Sequence, residues 1–111
     1  MSYFLRRLAA TLPVMAVGGR GVITTTGNVA PEAMVELVRA AADGDLARAR
    51  SIHLRLMPLF DALFCETNPI PVKAAMAMLA GIADEIRLPL TPLTPPHRER
   101  LRMVLKEQGL L

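Results

Sequence analysis

The chain has 111 residues and a mass of 12.1 kDa, which limits it to one small domain. This length excludes a complete eight-stranded α/β barrel, because such a barrel needs about 200 residues or more. A hydrophobic fraction of 52% with 21% charged residues excludes a disordered tail, and the single Cys65 excludes an internal disulfide and indicates a reducing compartment. The net charge of +3 comes from arginines interleaved with acids, which indicates solvated helix surfaces and predicts no nucleic-acid partner.

The first apolar stretch predicts a helix from about residue 2 to residue 17, with Pro13 either kinking it or starting a second short helix. Arg6 and Arg7, followed by uncharged residues, are similar to the start of a secretion signal. However, Pro13 interrupts the stretch and Arg20 closes it, so we expect no such signal. The stretch is also shorter than the roughly 20 apolar residues that a membrane helix needs. We therefore expect a cytoplasmic location and no membrane partner.

A β-branched run between glycines, residues 21–26, predicts the one convincing strand of the chain. Residues 27–30 read as a loop, and Pro31 suits the first turn of a helix that ends near Gly44. A lone strand cannot satisfy its own backbone groups, so we expect it to be extended but short of partners.

Three further helices follow at regular apolar spacing. Asp45 is expected to cap the first of them, and Pro58 to bend it without ending it, because the apolar pattern continues in phase beyond the proline. The next helix begins after the stiff break at residues 67–71 and stops at Gly81. An extended segment, residues 86–96, then leads to the last helix.

Thr94 is the expected cap of this last helix, with Pro95 in its first turn and Gly109 as its stop. Its apolar stripe consists of Leu101, Val104 and Leu105. The sequence therefore predicts a mostly α protein, whose core is expected to contain Leu37, Leu56, Leu59, Leu63, Met76 and Leu79.

Six blocks of sequence resemble the C-terminal part of the dihydrodipicolinate synthase family. They are GRGVIT at 19–24, NVA at 28–30, LRLMPL at 54–59, LF at 63–64 with ETNPIPVK at 66–73, LPLTPL at 88–93 and GLL at 109–111. The ETNPIPVK block is specific, because related pyruvate-dependent lyases usually lack it. The resemblance begins at about Thr11 and covers about nine-tenths of the chain, and the order and spacing of the blocks agree with the family.

The resemblance implies a lyase that condenses pyruvate with aspartate semialdehyde in lysine biosynthesis, through a Schiff base on a barrel lysine and a tyrosine-centred proton relay. It identifies the chain as the C-terminal remnant of a (β/α)₈ barrel, with one strand and two barrel helices in residues 1–44. Residues 45–111 are then the helical region appended to the barrel. The family's Schiff-base lysine, relay tyrosines and pyruvate-carboxylate threonines match nothing in these 111 residues, so no catalytic residue is assigned.

One family site residue remains, Ile23, which matches the last-strand position whose main chain contacts pyruvate. We expect this contact only in an assembled barrel, and a plain strand hydrophobe is the alternative. No cofactor and no metal site is expected, because the chain has no phosphate loop and no Cys/His cluster with metal-ligand spacing.

The remaining reactive side chains have ordinary interpretations. Lys73 and Lys106 are expected to be helix or surface lysines, and His53 to be a packed or partly exposed histidine. Cys65 is expected to be buried, and His97 to be solvated. Glu66 and Asn68 are expected to organise the proline turn through side-chain to backbone bonds. Three alternating arginines in the last helix, Arg98, Arg100 and Arg102, do not share one face and so form no anion patch.

Three functional hypotheses stay open. The chain is a truncated homologue without catalysis of its own, one half of a split synthase that another chain completes, or a helical module for oligomerisation or interaction. The expected partners are accordingly pyruvate at most, a second copy of the chain in a homo-oligomer, or a complementing synthase chain.

Overall fold

A computed structural model describes residues 4–5 and 8–111, with side chains from residue 9 onwards, and the chain is predominantly helical. It divides into two compact units, Met1–Met57 and Pro58–Leu111. The boundary expected after residue 44 is a different one, because it separates the barrel elements of the family from its appended helical region. That boundary stays a prediction.

The first unit begins with two short parallel strands, β1 (Phe4–Leu5) and β2 (Gly21–Val22), in which Phe4 lies opposite Gly21. A 3₁₀ helix (Leu8–Ala10) and helix α1 (Thr11–Ala16) connect them. Pro13 lies in the first turn of α1, where its missing N–H costs no hydrogen bond. The expected helix from residue 2 is therefore wrong at residues 4–5, which are extended, and residues 2–3 and 6–7 lie outside the described part.

Two expectations about β2 are corrected. The strand covers two residues instead of six, and it does have a neighbour, because Phe4 and Leu5 supply an extended segment that its backbone can pair with. The expected loop at residues 27–30 is largely a helical turn, α2 (Thr26–Val29).

Helices α3 (Pro31–Ala42) and α4 (Leu46–Ala62) form as their apolar spacing predicts. The cap of α4 is confirmed, since the carboxylate Oδ1 of Asp45 accepts the backbone N–H of Arg48 at 3.1 Å. Pro58 lies inside α4, which continues past it. The core of the first unit consists mainly of Val29, Met34, Leu37, Ala49, Ile52 and Leu56.

In the second unit, α5 (Ile70–Ala80) packs against α6 (Pro95–Glu107). Gly81 and Gly109 end the two helices in the left-handed region, at φ of 66° and 69°. Residues 81–94 between the helices are irregular. Buried side chains of this unit include Leu59, Leu63, Ile70, Leu93, Leu101, Val104 and Leu105.

The predicted core is right at four of six positions, Leu37, Leu56, Leu59 and Leu63. Met76 and Leu79 are only half-buried. The buried residues of α5 lie instead in its first half, from Ile70 to Ala75.

Candidate functional site

The candidate site is the end of β2, where the sequence places Ile23. This residue follows the strand directly, and its side chain is 65% exposed. It is therefore not packed as a strand hydrophobe within the first unit. Its main chain is the only feature for which the sequence predicts a ligand contact, and that contact stays a prediction.

Thr24 explains why the strand ends so early. Its hydroxyl Oγ1 accepts the backbone N–H of Thr26 at 3.2 Å, which turns the chain into α2. The side-chain amide of Asn28 donates to the carbonyl oxygen of Thr25 at 3.3 Å and closes the turn on its outer side. The β-branched residues that favour a strand thus also supply the hydroxyl that breaks it.

Two hydroxyl groups at this turn are buried without a partner. The Oγ1 atoms of Thr25 and Thr26 have no hydrogen bond among the described residues, and the side chain of Thr26 is fully buried. A buried polar group without a partner costs about 1–3 kcal/mol.

An open, mainly apolar groove of about 450 Å³ runs from β2 across α3. Val22, Met34, Val35 and Val38 line it, and among the described residues Arg39 is the only charged one at its edge. The described residues that line the groove include no carboxylate, histidine or lysine, so none of them can act as a general acid, a general base or an amine nucleophile. It can bind an apolar surface.

Both lysines lie on helices of the second unit. Lys73 is on α5 and its Nζ atom donates a hydrogen bond to the carbonyl oxygen of Glu85. Lys106 is exposed in the last turn of α6. A Schiff-base lysine needs a desolvated amine, whereas the amine of Lys73 is hydrogen-bonded at an exposed position and Lys106 is exposed.

His53 and Cys65 are the other candidate nucleophiles or ligands. His53 is half-buried on α4, and burial lowers the pKa of its imidazole. Cys65 is half-buried rather than buried, and burial, aided by the charge of Glu66, raises the pKa of its thiol. A thiol held protonated in this way is a poor nucleophile. Within residues 8–111 no three His, Cys, Asp or Glu residues gather in a way that would hold a metal ion.

A polar cluster in the second unit joins Glu66 to the start of α6. The hydroxyl of Thr94 donates to Oε1 of Glu66 at 2.6 Å, and Nδ1 of His97 lies 2.8 Å from the same oxygen. The backbone N–H of Thr94 points to both carboxylate oxygens at 3.4 Å. Hydrogen bonds from Thr94 and then His97 lower the pKa of the Glu66 carboxyl.

This cluster corrects three expectations. Thr94 occupies the cap position of α6, but its hydroxyl bonds to Glu66 and makes no cap hydrogen bond to the helix backbone. Glu66 reaches across to α6 instead of organising its own turn, and His97 is hydrogen-bonded and only 39% exposed. The groups are 28 to 31 residues apart, so local spacing contains no signal for the contact.

The arginines of α6 do not act together. Arg98 pairs with Asp84 at 2.6 Å, and this hydrogen bond lowers the pKa of the Asp84 carboxyl. Arg102 instead lies 3.8 Å from Glu99.

None of the described helices is long and apolar enough to cross a bilayer.

Comparisons with known proteins point to one family. The profile of the dihydrodipicolinate synthetase family matches residues 8–108. A 4-hydroxy-tetrahydrodipicolinate synthase of Thermomicrobium roseum is 56% identical over 95 residues, which are 86% of this chain and 32% of that protein.

Solved structures agree with this match. A dihydrodipicolinate synthase from Thermotoga maritima superposes with a TM-score of 0.91 at 50% identity, covering 93% of this chain and 35% of its own. A dihydrodipicolinate synthase from Acinetobacter baumannii, complexed with pyruvate, has a TM-score of 0.95 at 39% identity and covers 100% of this chain and 38% of its own. The chain thus spans about a third of the length of the relatives that it matches.

Proposed function

We propose, from the premise that the chain belongs to the dihydrodipicolinate synthetase family, that it supplies the last barrel elements and the helical region of a pyruvate-dependent lyase. In this proposal the 111 residues do not catalyse by themselves. They complete a barrel whose other strands lie outside them, on the same polypeptide or on another. The match over residues 8–108 and the one-third share of the relatives' length support this.

The elements of the first unit fit the end of such a barrel. Thr11–Ala16 corresponds to the seventh helix, Gly21–Val22 to the eighth strand and Pro31–Ala42 to the eighth helix. Parallel strands joined by a helix are the repeating unit of these barrels, and β1, α1 and β2 have this arrangement. Residues 45–111 then form the appended helical region.

The positions of the two lysines support the proposal that the 111-residue chain is inactive by itself. Condensation of pyruvate with aspartate semialdehyde through a Schiff base needs an amine at the end of a barrel strand. No lysine lies at the end of β2, and Lys73 on α5 donates a hydrogen bond to the carbonyl oxygen of Glu85. Ile23 contributes at most a main-chain contact to pyruvate, the ligand of the Acinetobacter baumannii relative.

Borohydride trapping tests this directly. Incubating the chain with pyruvate and sodium borohydride is expected to leave its mass unchanged, because neither lysine forms an imine that can be reduced. The full-length Thermotoga maritima relative, treated in parallel, controls for the reagent. A stable pyruvyl adduct on Lys73 or Lys106 would contradict the proposal.

A complementing polypeptide is the second candidate, and the 65% exposed side chain of Ile23 at the end of β2 favours it. A neighbouring strand at this end of β2 would cover that side chain. Affinity purification of the chain from its native cells is expected to bring down a polypeptide with the earlier barrel strands. Recovery of the chain alone from those cells counts against a split synthase.

An oligomerisation module is the third candidate. Leu46 and Leu54 on α4 are 55% and 56% exposed, and such apolar side chains favour association. A homo-oligomer is expected in sedimentation at micromolar concentration, and a folded monomer there would exclude this role.

We also infer a cytoplasmic location, as suits a biosynthetic lyase with a single, unpaired cysteine.

A further inference from the structure

Two apolar faces of the first unit are uncovered by the described part of the chain. One is the groove between β2 and α3, where the side chain of Val35 is 47% exposed. The other is the outer face of α4, where Leu46 and Leu54 are both more than half exposed. Exposed apolar patches rimmed by polar residues commonly mark interaction surfaces. Both faces belong to one compact unit, so every copy of the chain presents both.

The groove has an acidic border. A second hollow of about 630 Å³ lies beside α3 and shares Val35 and Arg39 with the groove. The described residues around this hollow include four carboxylates and two guanidinium groups. The guanidinium of Arg48 is bound by Glu36 at 2.7 Å, whereas Glu32 makes no ion pair with a described residue. The groove is therefore apolar inside and bordered by an excess of negative charge.

The outer face of α4 has the opposite charge. Leu46, Arg50 and Leu54 follow one another at intervals of four residues, so they lie along one side of the helix. Arg50 is exposed and, within the part of the chain that the structure describes, makes no ion pair. These three residues form the α4 stripe, which is about 12 Å long because a helix rises about 1.5 Å per residue.

The stripe and the groove match in length, polarity and charge. Helix α3 lines the groove from Pro31 to Arg39, which is also about 12 Å of helix. A leucine side chain of the stripe would meet apolar walls on β2 and α3 there, and the guanidinium of Arg50 would meet the unpaired carboxylate of Glu32. Contact between the two faces removes apolar surface from water and brings opposite charges together.

We propose that the α4 stripe of one copy packs into the groove of a second copy, with Arg50 facing the carboxylates beside α3. This contact deepens the oligomerisation role proposed above, on which it rests, and it forms while no barrel strand covers the groove. Two different faces meet, so each added copy presents one free groove and one free stripe again. The assembly therefore grows into rings or open chains rather than stopping at a two-fold dimer.

Sedimentation velocity of the full chain over a range of micromolar concentrations tests the contact with matched variants. Leu54→Asp disrupts the stripe, and Met103→Asp is its control, because Met103 on α6 is 54% exposed and belongs to neither face. Arg50→Glu reverses the charge of the stripe, and Arg87→Glu makes the same change of net charge at an exposed position between α5 and α6. Circular dichroism checks that each variant keeps its helix content.

The average mass of the wild type is expected to increase with concentration beyond that of a dimer. Leu54→Asp should weaken association about tenfold or more, because it places a charge at an apolar contact. Arg50→Glu should weaken it about threefold or more, and by less at high salt. Both controls should sediment as the wild type does.

Mixing two variants tests the pairing of groove and stripe. Val35→Asp disrupts the groove and leaves the stripe, whereas Leu54→Asp does the reverse, so neither should associate alone at concentrations where the wild type does. Together they are expected to form a one-to-one dimer that grows no further, because only one intact groove and one intact stripe are available to each pair.

Mixed variants that stay monomeric would overturn the proposal. So would an assembly that survives Val35→Asp or Leu54→Asp, in which case oligomerisation uses another surface. A wild-type chain that is monomeric at every concentration would also overturn it and leave the groove to the strands that complete the barrel. None of these outcomes involves pyruvate, so borohydride trapping tests the lyase proposal separately.

Discussion

The Oε1 atom of Glu66 lies 2.8 Å from Nδ1 of His97, although 31 residues separate them in sequence. The contact joins the turn that follows α4 to the first turn of α6, and Thr94 donates its hydroxyl to the same oxygen at 2.6 Å. One carboxylate thus organises two segments of the second unit.

The first prediction concerns acid. The pKa of Glu66 is lowered in the folded chain, chiefly by the hydrogen bonds from Thr94 and His97. Its stabilising contribution is therefore complete above the ordinary carboxyl pKa, and it is lost as the pH falls through the lowered value. Urea unfolding followed by circular dichroism between about pH 2 and 5 should show a steeper loss of stability in the wild type than in Glu66→Gln. Equal slopes would mean that the contact is not formed in solution.

The second prediction concerns the cap of α4. Asp45→Ala removes the acceptor of the Arg48 backbone N–H and should cost about 0.5–2 kcal/mol in the free energy of unfolding. Asp43→Ala is the matched control, since Asp43 is exposed two residues earlier and its side chain is not the cap. Equal effects of the two substitutions, measured by urea unfolding, would show that only charge matters at this helix start.

The third prediction concerns close packing beside α1. A Cβ atom at Gly19 would lie 2.5 Å from Cγ1 and 2.7 Å from the carbonyl oxygen of Val14, so the backbone must move to accommodate it. Gly19→Ala should destabilise the chain by about 1–3 kcal/mol. Gly27→Ala should be tolerated, because its Cβ would meet only Cγ2 of Thr24 at 3.6 Å. A thermal melt of each variant distinguishes the two, and a tolerated Gly19→Ala would contradict the described approach of Gly19 to Val14.

The fourth prediction separates two neighbouring threonines. Thr26→Val removes a fully buried hydroxyl that has no partner in the described chain, so stability should be unchanged or should rise. Thr24→Val removes the hydroxyl that accepts the Thr26 N–H and should cost about 0.5–1.5 kcal/mol.

The two threonine variants are compared by urea unfolding of the chain alone. A loss of stability in Thr26→Val as large as that in Thr24→Val would show that the buried hydroxyl already has a partner.

Much of the helical structure can be predicted from the sequence, because its signals are local. Asp45 caps α4, Pro58 is accommodated inside it, and Gly81 and Gly109 end their helices in the left-handed region. Each of these depends on a residue and its nearest neighbours along the chain, which periodicity and capping rules describe.

The sequence predicts the start of β2 but not strand β1, the early end of β2 or the polar cluster, because these depend on partners or hydrogen bonds that the pattern does not show. Phe4 and Leu5 pair with Gly21 and Val22, and the run after Val22 turns because the Thr24 hydroxyl accepts the backbone N–H of Thr26. The Glu66 contact likewise depends on how α6 packs in the second unit. The predicted ligand contact of Ile23 depends on barrel strands outside these residues and stays a prediction.

Pyruvate trapping in a reconstituted mixture tests the central claim most directly. The chain is combined with the part of the Thermotoga maritima synthase that precedes the matched third, treated with pyruvate and borohydride, and each polypeptide is weighed by mass spectrometry. The account predicts an adduct on the added polypeptide and an unmodified mass for this chain. An adduct on Lys73 or Lys106, formed with or without the added polypeptide, would contradict it.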